Sequence, residues 1–159
     1  KGVGTTFIVT LDHRIADKSM LSEVESAPET APLEGKRILL AEDNELNAEI
    51  AIAVLSEVGL TVDRATDGQE CIDMLLKAND GYYDLILMDI QMPRMNGYEA
   101  TRAIRALDDK NKSQIKIIAM TANAFEEDKR EAMKAGMNAH LAKPINISEL
   151  TKALTISLA

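Results

Sequence analysis

The chain has 159 residues, room for one domain of ordinary size. Apolar residues make up 46% and aromatics only 3%, so any core is aliphatic; a net charge of −8 argues against nucleic acid as a direct partner, because a phosphate backbone needs basic patches. A single cysteine, Cys71, excludes an internal disulfide, and no apolar run reaches the length of a membrane span.

From the start of the chain, Phe7, Val9 and Leu11 alternate with Thr6, Ile8 and Thr10, a strand pattern that has no sheet of its own to join. Residues 17–34 are rich in Ser, Glu, Ala and Pro and read as a flexible linker. A start at Lys1 is read as that of a piece of a longer protein. From Gly35 the pattern changes. Ile38–Ala41 is a short apolar run that ends in Glu42, Asp43 and Asn44. Ile50, Ala51, Val54, Leu55 and Val58 then recur at helical spacing, over a helix at 45–58 stopped by Gly59. Leu60–Ala65 reads as a strand, and Cys71, Ile72, Leu75 and Leu76 mark a second helix after Asp67-Gly68. Cys71 is read as a core residue of that helix.

Asp84–Asp89 is a third strand, too apolar to be half exposed, and Met92–Gly97 a loop. Tyr98–Leu107 is helical, Ile115–Met120 a strand, Phe125–Ala135 a charged helix that ends at Gly136. Ala139–Ala142 is a brief strand and Ile147–Leu158 a last helix. Five strands alternating with five helices, with continuous apolar strands, indicate a parallel α/β sheet wound on both faces. Function in such sheets gathers outside the carboxyl ends of the strands. The residues at those ends are Glu42 and Asp43, Asp89, Thr121 and Lys143.

Three converging carboxylates repel one another unless a cation sits among them, and hard oxygen ligands suit Mg²⁺. Asp43 and Asp89 are expected as direct ligands and Glu42 through water, with Lys143 as the counter-charge and Thr121 offering a hydroxyl. No Gly-rich phosphate loop and no Ser-His-Asp set is present: the two histidines are His13 and His140. A carboxylate needs no deprotonation at neutral pH and can attack phosphorus directly to form an acyl phosphate. The cation and Lys143 would offset charge on the transferring group.

Glu42-Asp43-Asn44, then Met88 to Gly97, then Ala119 to Ala124, then Lys143-Pro144, in that order, resemble the receiver domains of two-component signalling proteins over residues 35–159. The wording of the motifs most resembles receivers attached to hybrid histidine kinases. The resemblance implies a flavodoxin-like sheet of order 2-1-3-4-5. It also implies Asp89 as phosphoacceptor, with Glu42, Asp43 and the backbone carbonyl of Gln91 completing a site for Mg²⁺ or Mn²⁺. Thr121 would hydrogen-bond the phosphoryl group and shift with it, Lys143 would bind one of its oxygens, and Lys143–Pro144 would be a cis peptide. Gln91 and Asn123 would tune the lifetime of the acyl phosphate. The family often has Tyr or Phe three residues before the lysine; here it is His140, kept as a switch residue.

Gly2-Val3-Gly4-Thr5-Thr6-Phe7 resembles the final glycine motif and last strand of a histidine-kinase ATPase domain, which makes residues 1–16 a remnant of that domain. The ATP site is not in this segment, so no ATP binding is expected. The implied partners are the phosphohistidine domain of a histidine kinase and a histidine phosphotransfer protein, with neither nucleic acid nor direct membrane contact. A cytoplasmic setting fits, and leaves room for a membrane anchor elsewhere in the parent. As chemistry, only self-phosphorylation and autodephosphorylation are expected, the kinase activity belonging to the parent. Two alternatives stand beside this: a Mg²⁺-dependent phosphatase working through an aspartyl phosphate, disfavoured because Gln91 occupies the usual place of a second catalytic Asp, and a receiver-like interaction module that is never phosphorylated.

Overall fold

The computed structural model describes residues 33–122, 126–143 and 145–158, together with the backbone only of Glu126, Ile147 and Leu158. The expected amino-terminal strand, nearly all of the linker, Asn123 and Pro144 lie outside the described residues. The elements run β1 (Arg37–Ala41), α1 (Glu45–Glu57), β2 (Thr61–Ala65), α2 (Gly68–Lys77), β3 (Leu85–Asp89), α3 (Gly97–Arg105), α4 (Lys110–Ser113), β4 (Lys116–Thr121), α5 (Glu126–Ala135), β5 (Ala139–Ala142) and α6 (Ile147–Leu158).

All strand pairs are parallel, in the order β2-β1-β3-β4-β5. Every residue of β3 is buried, as are all of β1 and β4 beyond their first residues, so these runs have no polar face to show to water. Successive side chains go to opposite layers. Leu39, Ile86, Met88 and Ile117 pack with Cys71, Leu75, Ala100, Ile104 and Ala132 from α2, α3 and α5. Ile38, Leu40, Leu85, Leu87, Ile118 and Met120 pack with Ala51, Leu55, Leu150 and Leu154 from α1 and α6.

The sequence predicts five helices, and the described residues form six. The additional one, α4, is a single turn of Lys-Asn-Lys-Ser held by its cap, Asp109, whose carboxylate accepts from the Asn111 and Lys112 N–H groups. It buries no residue and so carries no apolar period. Register is set by polar contacts as well as by packing. The Asp84 carboxylate accepts from the Arg37 N–H and the Lys36 ammonium, each at 2.8 Å, tying the start of β3 to that of β1. At the same end, Arg105 donates to the carbonyls of Ser113, Ile115 and Gly136 and to the Asn138 side chain. Burial lowers the pKa of that guanidinium. One planar donor thereby knits α3, α4, β4 and the α5–β5 turn.

Candidate functional site

Because all strands run the same way, their carboxyl ends share one edge of the sheet. Glu42 and Asp43 follow β1, Asp89 closes β3, Thr121 closes β4 and Lys143 follows β5. The backbone there belongs to the sheet: Glu42 N–H donates to Ala65 O at 3.0 Å and Lys143 N–H to Thr121 O at 2.8 Å. On the helix side the loops are equally short. Asn44, directly after Asp43, caps α1 by accepting from the Asn47 N–H, and Asn96 forms a capping box with Glu99 at the start of α3.

Carboxylate oxygens of Glu42, Asp43 and Asp89 lie within 4.8 Å of one another. Glu42 is 2% and Asp89 6% exposed, whereas Asp43 faces solvent. The Lys143 ammonium is 2.8 Å from Asp89 Oδ2 and 2.5 Å from Glu42 Oε2. Asn47 Nδ2 donates to the remaining Glu42 oxygen at 3.1 Å, and the Gln91 N–H donates to Asp89 Oδ1 at 3.2 Å. One ammonium thus faces two of the three carboxylates. Three hard oxygen donors with surplus negative charge and one member open to water form a donor set that fits a small divalent cation.

The two ends of the Lys143–Asp89 contact carry opposite balances. Burial works against the ammonium, but two carboxylates face it, and its pKa rises. Burial raises the Asp89 carboxyl by more than Lys143 lowers it, with Glu42 adding to the rise. At Asp89 burial outweighs the single ammonium, while at Lys143 the two facing anions outweigh burial.

The structure therefore brings Glu42, Asp43, Asp89 and Lys143 into one cluster, with Thr121 buried at the end of the neighbouring strand. Gln91 points its side chain to solvent while its N–H meets Asp89. His140 stands apart from the carboxylates. It is half-buried on β5 and lines an open groove with Lys129, Glu149 and Lys152.

Three contributors are not evident from the strand-end rule. Asn47 orients Glu42, and its signal is its place one turn inside a helix that starts beside the acids. Arg64 donates to the Glu42 and Asp43 carbonyls at 3.1 and 3.0 Å; it is found only once parallel pairing sets it opposite Leu40. Gly97 reads as loop punctuation, but its role is space: a β-carbon there would lie 2.2 Å from Asp89 O.

A family model described as the response regulator receiver domain matches residues 38–155. Probable histidine kinase 2 of Oryza sativa subsp. indica is 35% identical over 88% of this chain, and hybrid signal transduction histidine kinase B of Dictyostelium discoideum is 42% identical over 72%. The match covers 14% and 6% of those proteins, so the chain corresponds to a small part of each. Among solved structures, the receiver domain of sensor histidine kinase PA1611 from Pseudomonas aeruginosa, with a magnesium ion coordinated in its active site cleft, is 40% identical. Its TM-score is 0.70, covering 78% of this chain and 98% of that one. The receiver domain of Ssk1 from Saccharomyces cerevisiae, crystallised with the histidine phosphotransfer protein Ypd1, is 31% identical. Its TM-score is 0.69, covering 77% of this chain and 88% of the other.

Proposed function

Because the chain belongs to the response regulator receiver family of two-component signalling, we propose that Asp89 accepts a phosphoryl group from a kinase phosphohistidine. The group then passes to a histidine phosphotransfer partner or regulates the parent kinase. The observation that carries this is the packing of three carboxylates within 4.8 Å, with Lys143 bridging Asp89 and Glu42. An interaction module with no phosphoryl chemistry has no use for so costly an arrangement.

In the proposed step an Asp89 oxygen attacks phosphorus. A P–O bond forms, the P–N bond to the donor imidazole breaks, and its electron pair stays on the imidazole nitrogen. Asp89 needs no base, since it reacts as the carboxylate. Lys143 starts on Asp89 and can follow the charge onto a phosphoryl oxygen. Thr121, one strand over, offers its hydroxyl to the same group and is the residue proposed to shift with it. Glu42, Asp43, Asp89 and the Gln91 carbonyl would hold Mg²⁺, or Mn²⁺ in its place; the bound cation would supply charge neutralisation for the transferring group. His140, at the β5–α6 groove, is proposed to answer the change at Thr121 rather than to touch phosphate.

The test is intact-mass spectrometry after incubation with acetyl phosphate and Mg²⁺. Wild type should gain one phosphoryl group, lost on treatment with hydroxylamine, and Asp89→Asn should gain none. Labelling that persists in Asp89→Asn, or no labelling of wild type, refutes the assignment.

A further inference from the structure

The loop that leaves Asp89 is pinned from outside the acidic cluster. Gly97 N–H donates to Ile90 O at 3.0 Å, and Gly68 N–H, at the start of α2, donates to Met95 O at 3.2 Å. A β-carbon on Gly68 would lie 2.7 Å from that same carbonyl, so helix and loop meet without a spacer. The third pin is an ion pair between the Arg94 guanidinium and Asp67 Oδ2.

Each partner of this pair is unusual. Asp67 is 1% exposed, and its other oxygen is already used, accepting from the Glu70 N–H at 2.8 Å as the cap of α2. A carboxylate so buried is costly without a cation. Arg94 keeps a 70% exposed side chain, yet its backbone sits at φ 64, where it is the sole non-glycine among the described residues. The ordinary preference of an L-residue for negative φ is overridden there, and such a conformation persists only when the surroundings hold it. Met95 N–H, donating to Pro93 O at 2.7 Å, closes the backbone over Arg94, and the Asp67 carboxylate, fixed by its own helix cap, holds the side chain. Between this point and Asp89 lies Gln91, whose N–H meets the Asp89 carboxylate and whose carbonyl is the cation ligand proposed above.

We infer that the Asp67–Arg94 ion pair is a positioning contact for the Gln91 backbone, tuning divalent-cation affinity and phosphoryl capture at Asp89 although neither residue reaches the acidic cluster. It rests on the reading of Asp89 and Gln91 given above. Loss of the pair lets Arg94 leave the left-handed region, and the peptide units upstream of it, Gln91 among them, turn with it.

The experiment uses the full 159-residue chain, with Mn²⁺ as the probe and the free aquo ion counted by electron paramagnetic resonance. Arg94→Gly is the informative variant, because glycine accepts positive φ at no cost. Because it also strips buried Asp67 of its cation, it should melt lower than wild type without metal, and, titrated at a temperature where both proteins are fully folded, it should bind Mn²⁺ about tenfold more weakly, the scale of a lost supporting contact. Asp67→Asn, which keeps a capping oxygen but not the charge, should weaken Mn²⁺ in the same direction, and Arg94→Lys should recover most of the affinity. Initial rates of acetyl phosphate labelling at subsaturating Mn²⁺ should fall in step. Unchanged affinity in both Arg94→Gly and Asp67→Asn overturns the inference. So does an affinity loss in Arg94→Gly that disappears when Mn²⁺ is titrated at a temperature where both proteins are fully folded, which would assign the pair to folding alone. Wild type that neither binds Mn²⁺ nor takes the label removes the phosphoacceptor reading, and this inference with it.

Discussion

Asp89 carries a buried charge that Lys143 offsets only in part, since the same ammonium also faces Glu42. Its pKa is raised, chiefly by burial. An acid that binds its proton more tightly in the folded chain adds stability at low pH. That stability is lost as pH rises from below the ordinary 3.8 through the higher folded value. Lys143 has the same sense in a higher window: its raised pKa keeps its contribution in place through neutrality, to be lost only above the ordinary 10.5. At neutral pH without metal, Asp89 therefore weighs against folding. Asp89→Asn should melt a few degrees higher than wild type at pH 7, and the gap should close as pH drops below 3.8. Calorimetric scans of both proteins across that range check it, and an Asn variant that melts lower at pH 7 contradicts it.

At the scale of elements, α1 shows what a sequence period can and cannot tell. The spacing of Ile50, Ala51, Val54, Leu55 and Val58 identifies the helix correctly. Of its residues only Ala48, Ala51 and Leu55 are buried, while Leu46 and Ile50 stand 64% and 53% exposed. Periodicity finds an apolar face but not its width, and residues held back from the core look the same in one dimension as those within it. The strands were more legible, because β1, β3 and β4 are apolar almost throughout and leave no choice of face. The one-turn α4 was not, since nothing in it is buried. The strand-end residues were named by topology alone, whereas Arg64, Asn47 and the Asp67–Arg94 pair depend on pairing register and loop shape.

Ile50 also lines a small recess with Glu42, Asn47, Lys143 and Ile145, so the exposed apolar side of α1 borders the acidic cluster. We propose that a phosphohistidine-bearing partner docks there to bring its imidazole to Asp89. Replacing Leu46 and Ile50 by Ser, which removes two apolar contacts of the kind that anchor interfaces, should slow transfer from a phosphorylated histidine phosphotransfer protein roughly tenfold or more. Labelling by acetyl phosphate should keep its wild-type rate, because the small donor needs no docking surface. Rapid-quench measurement of both donors separates the two, and equal rates for wild type and the double variant with the protein donor would remove α1 from the interface.

For the whole molecule, the proposed cation couples site to fold. Glu42 and Asp43 come from the end of β1 and Asp89 from the end of β3, so the cluster exists only when the sheet has formed. An ion that binds it stabilises the folded chain and not the unfolded one, by about 2.7 kcal/mol at a hundredfold excess over its dissociation constant. Generic screening of a chain with net charge −8 also raises stability, but it depends on ionic strength rather than on the identity of the ion. The two effects separate in one set of melts. Mg²⁺ should raise the melting temperature beyond NaCl of matched ionic strength, and that excess should vanish in Asp43→Asn while the shared NaCl response remains. If Mg²⁺ and NaCl are equivalent in wild type, the carboxylates are an acidic surface with no cation specificity. Their close approach would then be sustained by Lys143 and the sheet alone.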